Sequence, residues 1–174
     1  MELKERIIQV VGYQNSGKTT LISQLTKMLT EEGKTVGVIK HHGHGGIPYL
    51  GDDDKDSEKH RSAGAKVVAV EGNGTIQLTA TDTKWNLSSI INIFESFELD
   101  SIIIEGYKSE SYPKVVMIND AEDVELMKSL TNIICVISTF AYPGDEPNPF
   151  PYYIRGDDEA TYLRLVTEKM RGMK

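Results

Sequence analysis

Gly12-Tyr13-Gln14-Asn15-Ser16-Gly17-Lys18-Thr19 fits the pattern G-x-x-x-x-G-K-[ST] of a phosphate-binding loop, or Walker A motif. The glycines let the backbone curl so that its N–H groups point inward at a phosphate chain. The positive end of the following helix adds to that field. Lys18 supplies a mobile charge for the β- and γ-phosphates, and the Thr19 hydroxyl suits Mg²⁺. A glycine turn that merely begins a helix needs neither the lysine nor the second glycine. The motif therefore reads as a nucleotide site.

Such a site also needs an acid near the metal, at the end of an apolar strand beside the loop. Ile102-Ile103-Ile104 ends in Glu105-Gly106, which puts Glu105 at the Walker B place. A glutamate reaches further than the commoner aspartate, so it can serve Mg²⁺ through water or orient an attacking water. Asp100 begins that strand, at the wrong end for a metal, and reads as a turn residue. Lys108 follows closely enough to meet phosphate or substrate, with a solvated surface lysine as the alternative.

His41, His42 and His44 precede Asp52, Asp53 and Asp54 in a glycine-rich loop. Their types suit a divalent metal, but the HHxH spacing matches no closed site. A loop leaving a strand end beside the phosphate loop reads better as a substrate- or partner-binding edge. The aspartate run reads as a solvated acidic loop. Asp56, beside Ser57 as the expected helix cap, is a better-placed carboxylate for Mg²⁺ or substrate. Base choice stays open between GTP and ATP. The late strand ending Ile137-Ser138-Thr139 lacks the [NT]KxD pattern of common guanine readers, and Asn119-Asp120 is a fragment of it after a different strand.

The elements that position these residues alternate between strand and helix patterns, which predicts an α/β three-layer P-loop NTPase fold with a mostly parallel sheet. Strands are expected at 6–11, 35–40, 101–106, 114–118 and 132–138. Leu21, Leu25, Met28 and Leu29 mark one face of a helix over 18–32. Short helices are expected near 57–64, after Asn86, and over 121–130, with a last helix at 157–171. Residues 66–70 and 75–81 flank Glu71-Gly72-Asn73-Gly74 as a β-hairpin element. The Pro-rich segment 143–151 is expected to be loop. No internal repeat is present, and residues 1–174 read as a single nucleotide-binding domain.

Charge and composition exclude several classes. The 174 residues carry 19 Lys plus Arg against 26 Asp plus Glu, a formal net charge of −7. That balance is poorly suited to non-specific nucleic-acid binding, so no nucleic-acid partner is expected. A single cysteine, Cys135, cannot form an internal disulfide and lies in an apolar run, where a buried inert thiol is expected. No stretch approaches the roughly 20 apolar residues of a membrane span, and the opening MELKERIIQVVG lacks the apolar region of a signal peptide. A cytoplasmic protein with no membrane partner is expected.

These motifs in order resemble the MobB family, the molybdopterin-guanine dinucleotide biosynthesis protein B family. The resemblance rests on GYQNSGKTTL, VIKHHGH, DKDSEKHRSAGA, IIIEGYK and PKVVMI, which together span residues 6–118. The C-terminal third matches only in pattern. The resemblance implies a dimeric GTP-binding P-loop protein; Mg²⁺ is the metal that Thr19 and Glu105 suit, and weak GTPase activity is expected. It also implies support of the molybdenum cofactor guanylyltransferase that attaches GMP to molybdopterin, giving molybdopterin guanine dinucleotide. By the same resemblance Gly12 to Thr20 hold the phosphates and Glu105 is the Walker B acid. Asp56 matches the acid of a KD[ST] element, and His41 falls in a K-H element. The long 41–56 loop departs from the family's shorter His-rich form and leaves His42 and His44 without a role. The competing reading is a stand-alone P-loop kinase acting on a small metabolite. Its Arg-rich lid has no counterpart here, since Arg6, Arg61, Arg155, Arg164 and Arg171 form no cluster. The same scarcity predicts slow turnover by the isolated chain.

Overall fold

The apolar runs IIQVVG, SIIIE and KVVMI become strands buried along their whole length, as an interior parallel sheet requires. A computed structural model describes residues 6–43, 45–52, 55–82, 84–144 and 147–172. Element order is β1 (Ile7–Gly12), α1 (Lys18–Glu31), β2 (Val36–Lys40), α2 (Asp56–Ser62), β3 (Val67–Gly72), β4 (Thr75–Ala80), α3 (Leu87–Phe94) and β5 (Ser101–Glu105). It continues with β6 (Lys114–Ile118), α4 (Leu126–Ser129), β7 (Ile133–Ser138), β8 (Tyr152–Ile154) and α5 (Glu159–Met170). The chain divides into two compact units, residues 1–41 with 90–174, and residues 42–89.

The first unit holds a six-stranded sheet in the order β2-β5-β1-β6-β7-β8, every neighbouring pair parallel. One face packs Ile8, Val10, Ile103, Met117 and Ile137 against Leu21, Leu25 and Leu29 of α1 and Val166 and Met170 of α5. Val11, Val116, Ile118 and Val136 pack with Leu126 and Met127 of α4. The sheet and its helices therefore follow the expected architecture. Two elements differ from expectation. The helix expected over 121–130 is a 3₁₀ segment, Ala121–Glu125, followed by the single turn of α4, with Asp120 and Asp123 forming a reciprocal capping box. Tyr152–Ile154 is a sixth strand that no periodicity could reveal in three residues; pairing with Val136–Ser138 creates it.

β5 and β6 flank β1, yet only residues 106–113 connect them. Parallel strands usually need a crossover of about a dozen residues or more, most often a helix. The short crossing leaves backbone carbonyls over β1, and two buried polar side chains satisfy them. Gln9 Nε2 donates to the carbonyls of Gly106 at 2.8 Å and Tyr107 at 2.6 Å. Its register partner Lys114 donates from Nζ to the carbonyls of Glu110 and of Tyr112, the latter at 3.1 Å. Both side chains sit inside otherwise apolar strand patterns, so a sequence pattern treats them only as strand residues. Cys135 is buried in β7, where burial pushes its thiol up to about 12.

The second unit is built on the β3–β4 hairpin, whose register runs from Val67↔Ala80 to Gly72↔Thr75. Only Asn73 and Gly74 turn the chain, both at positive φ (50° and 76°), the backbone of a two-residue hairpin loop. Helix α2 starts one residue before the expected cap. Lys55 occupies the cap position, while the Ser57 hydroxyl donates to Asp52 Oδ2 at 2.7 Å. Asp52 is not the solvated acid expected of this loop. It is 6% exposed and accepts two bonds from the Arg61 guanidinium, one from Nη2 at 2.7 Å and one from Nη1. Asp53 and Asp54 lie outside the described residues.

Hydrogen bonds from Arg61 and then Ser57 hold the Asp52 carboxyl at about 2, below its ordinary 3.8. A carboxylate with a depressed folded value contributes stability that is complete above the unfolded value and is lost as pH falls through the folded one. Asp52 stabilisation is therefore expected in full above pH 3.8 and to fade toward pH 2. Thermal melts of wild type and Asp52→Asn should differ at neutral pH and converge across that window. Curves that stay parallel down to pH 2 would show that the pair adds nothing.

Candidate functional site

β1 ends at Gly12, and the Walker A segment turns from it into α1. Gly12 is glycine because a Cβ there would lie 2.5 Å from Ser16 Oγ and 2.6 Å from the Met117 carbonyl oxygen. Gly17 opens α1 at φ 89°, a left-handed backbone that side chains disfavour. Lys18 Nζ donates to the Tyr13 carbonyl at 2.5 Å and to Ser16 Oγ at 3.3 Å, folding its ammonium into the loop. Burial lowers the Lys18 pKa; Glu105 opposes that shift, while Lys108 and Lys40 add to it. Gln14 and Asn15 are exposed, as is Thr20 at the start of the helix.

Glu105 ends β5 in register with Val10 of β1, so the strand end delivers its carboxylate beside the loop. Thr19 Oγ1 donates to Glu105 Oε2 at 3.3 Å and Oε1 at 3.4 Å. Lys40, the last residue of β2, places Nζ 3.1 Å from Glu105 Oε1. A hydroxyl and a carboxylate within one hydrogen bond form a hard-oxygen donor pair of the kind Mg²⁺ takes, and the Lys40 ammonium already marks the spot as one where a cation is stabilised. Lys40 was not among the residues singled out from the sequence. Its neighbour in the sheet, Glu105, is the signal that pairs it, and that neighbour is known only once strand order is known.

The remaining candidates divide between the units. Lys108 holds Nζ 3.9 Å from the centre of the Tyr13 ring, a cation–π contact that ties the segment after β5 to the phosphate loop. Burial lowers the Lys108 pKa, with Asp123 opposing. The His41 N–H donates to the Glu105 carbonyl at 2.9 Å, and its ring lies 4.4 Å from that of Tyr107. Asp56 belongs to the second unit, at the first position of α2, where its exposed carboxylate pairs with Lys59 at 2.8 Å. His42 is exposed in that unit, and His44 lies outside the described residues. Among the described residues, no three His, Cys, Asp or Glu converge as a metal site.

An arginine stands at the loop although none clusters in sequence. Arg155, immediately after β8, donates from Nη2 to the Ser16 carbonyl at 2.6 Å and to Asn119 Oδ1 at 3.1 Å. Asn119, immediately after β6, donates from Nδ2 to the Asn15 carbonyl at 2.9 Å. The short strand β8 carries Arg155 to this place, and its three residues give no sequence signal.

The family described as molybdopterin guanine dinucleotide synthesis protein B matches residues 7–139, from the start of β1 to just past β7. The chain belongs to the MobB family. It is 46% identical over 131 residues to the probable molybdopterin-guanine dinucleotide biosynthesis adapter protein of Bacillus subtilis, covering 75% of each chain. The crystal structure of Bacillus subtilis MobB superposes with a TM-score of 0.81 at 39% identity, over 96% of this chain and 99% of that one. A MobB homologue from Bacillus stearothermophilus gives 0.77 at 32%, over 97% and 99%. The family match thus runs beyond the motifs at 6–118, and the structural likeness includes the C-terminal third. Among the described residues, no helix is long and apolar enough to cross a membrane.

Proposed function

We propose that this chain binds GTP with Mg²⁺ and acts as an accessory protein in molybdenum cofactor biosynthesis. In that role it supports the guanylyltransferase that attaches GMP to molybdopterin to form molybdopterin guanine dinucleotide. The observation that carries this reading is the meeting of Lys18, Thr19 and Glu105 at one strand-to-helix turn in a chain of the MobB family. Residues 12–20 would cradle the phosphates, with Lys18 neutralising the β- and γ-oxygens. Thr19 and Glu105 would hold the metal, whose chemistry is to neutralise phosphate charge. Asp56, from the K-D-S segment, is the further carboxylate the family resemblance offers, with His41 and Lys108 beside the site. Arg155, the arginine at the loop, already bonds the Ser16 carbonyl, which supports slow turnover by the isolated chain.

A homodimer fits the second unit. A two-stranded hairpin is marginal by itself, and Val67, Ile76 and Leu78 stand half-exposed on one face of this one. The experiment is a titration with GTP, ATP and their slowly hydrolysed analogues, with and without Mg²⁺, on protein whose mass is read by sedimentation. A dimer that prefers GTP–Mg²⁺, hydrolyses it slowly and raises the guanylyltransferase yield of molybdopterin guanine dinucleotide is expected. Rapid phosphorylation of a small metabolite by the chain alone, with no effect on that enzyme, would favour a kinase instead.

A further inference from the structure

Two side chains outside the Walker A motif, Asn119 after β6 and Arg155 after β8, donate to its backbone, and a third, Thr139 after β7, supports one of them. Asn119 bonds the Asn15 carbonyl at 2.9 Å and Arg155 bonds the Ser16 carbonyl at 2.6 Å. Arg155 Nη2 also reaches Asn119 Oδ1 at 3.1 Å, which joins the two into one unit. Thr139, just after β7, anchors that unit by donating Oγ1 to the Asn119 carbonyl at 2.8 Å. The guanidinium sits against the start of α1, where a Cβ on Gly17 would lie 2.9 Å from Nη1.

A trans peptide points its carbonyl and the next N–H in opposite directions. Pinning the Asn15 and Ser16 carbonyls outward therefore turns the Ser16 and Gly17 N–H groups toward the concave side of the loop. The Ser16 N–H does face across the loop, toward the Tyr13 carbonyl at 3.4 Å. Asn15 itself sits at φ 60°, a conformation that asparagine tolerates but that an unrestrained loop seldom keeps. Donors aimed before the ligand arrives lose less free energy to ordering when it binds.

We propose that Arg155 and Asn119 are positioning residues that hold the phosphate loop in its anion-ready form, acting through backbone carbonyls rather than on the base. The proposal rests on the reading of this loop as a nucleotide site. The third arm, Thr139, places the end of β7 in the same network. Gly17 is required by its own φ, and a side chain there would also push the guanidinium aside.

The test uses the full chain with two probes, Mg²⁺–tripolyphosphate and Mg²⁺–GTP. Arg155→Ala should weaken both by the same factor, about tenfold, and Arg155→Lys should recover part of the loss because one donor can still reach the Ser16 carbonyl. Amide exchange of residues 12–19 in the ligand-free variant should quicken while the amides of β5 and β6 stay unchanged. Unaltered tripolyphosphate affinity in a folded Arg155→Ala protein overturns the proposal, including the case where GTP alone weakens and the arginine reads the base. If that variant does not fold, Asn119→Ala carries the same expectation and the same overturning result. If wild type binds neither probe, the nucleotide reading fails; the exchange of residues 12–19 then still decides the brace, unchanged rates overturning it.

Discussion

Lys18→Ala lowers affinity for a nucleoside triphosphate at least tenfold, as calorimetric titration with Mg²⁺–GTP should read. Each tenfold corresponds to about 1.4 kcal/mol, and a charge-assisted bond to phosphate is worth about that or more. The ammonium lies inside the loop, bonded to the Tyr13 carbonyl and Ser16 Oγ. Lys108 and Lys40 are near enough to depress its pKa, but they answer to Tyr13 and Glu105 respectively. Alanine at 18 removes no buried apolar packing, so the variant should melt close to wild type. It should also cancel any increase in molybdopterin guanine dinucleotide yield that the wild-type chain provides. Unchanged triphosphate affinity in the folded variant would sink the phosphate-loop reading.

Glu105→Gln should leave the fold and most nucleotide affinity intact while lowering hydrolysis at least tenfold. Glutamine keeps the volume and the strand register but removes the charge that faces Thr19 and Lys40. Lys40 would then lack its partner and Lys18 a nearby negative charge, so the second expected change is in metal dependence. Wild-type GTP affinity should fall on chelation of Mg²⁺, and the variant's should fall by less. Hydrolysis at the wild-type rate would make Glu105 a strand-end residue only, and Asp56 would become the leading carboxylate.

The Walker A motif, the glutamate after Ile104, and the helix pattern of Leu21, Leu25 and Leu29 are local features. Their chemistry or periodicity is carried by neighbours in the chain, so they are legible without a fold. The same holds for the hairpin, whose two-residue turn needs the positive φ that Asn73 and Gly74 accept. Family resemblance followed from the same motifs in order.

Tertiary structure decided what depends on long-range pairing. β8 exists because β7 offers an edge, and its end carries Arg155 139 residues along the chain to the Ser16 carbonyl. Lys40 meets Glu105 because β2 pairs with β5 rather than with β1. Gln9 and Lys114 are buried because a crossing of only eight residues leaves carbonyls that need donors from the sheet beneath. Asp52, read as a solvated acid, is a buried partner of Arg61, because the turn into α2 brings that guanidinium onto it. A side chain's type names the bonds it can make, but only the folded chain decides which partner is within 3 Å, because burial makes an unsatisfied polar group costly and so selects the pairing.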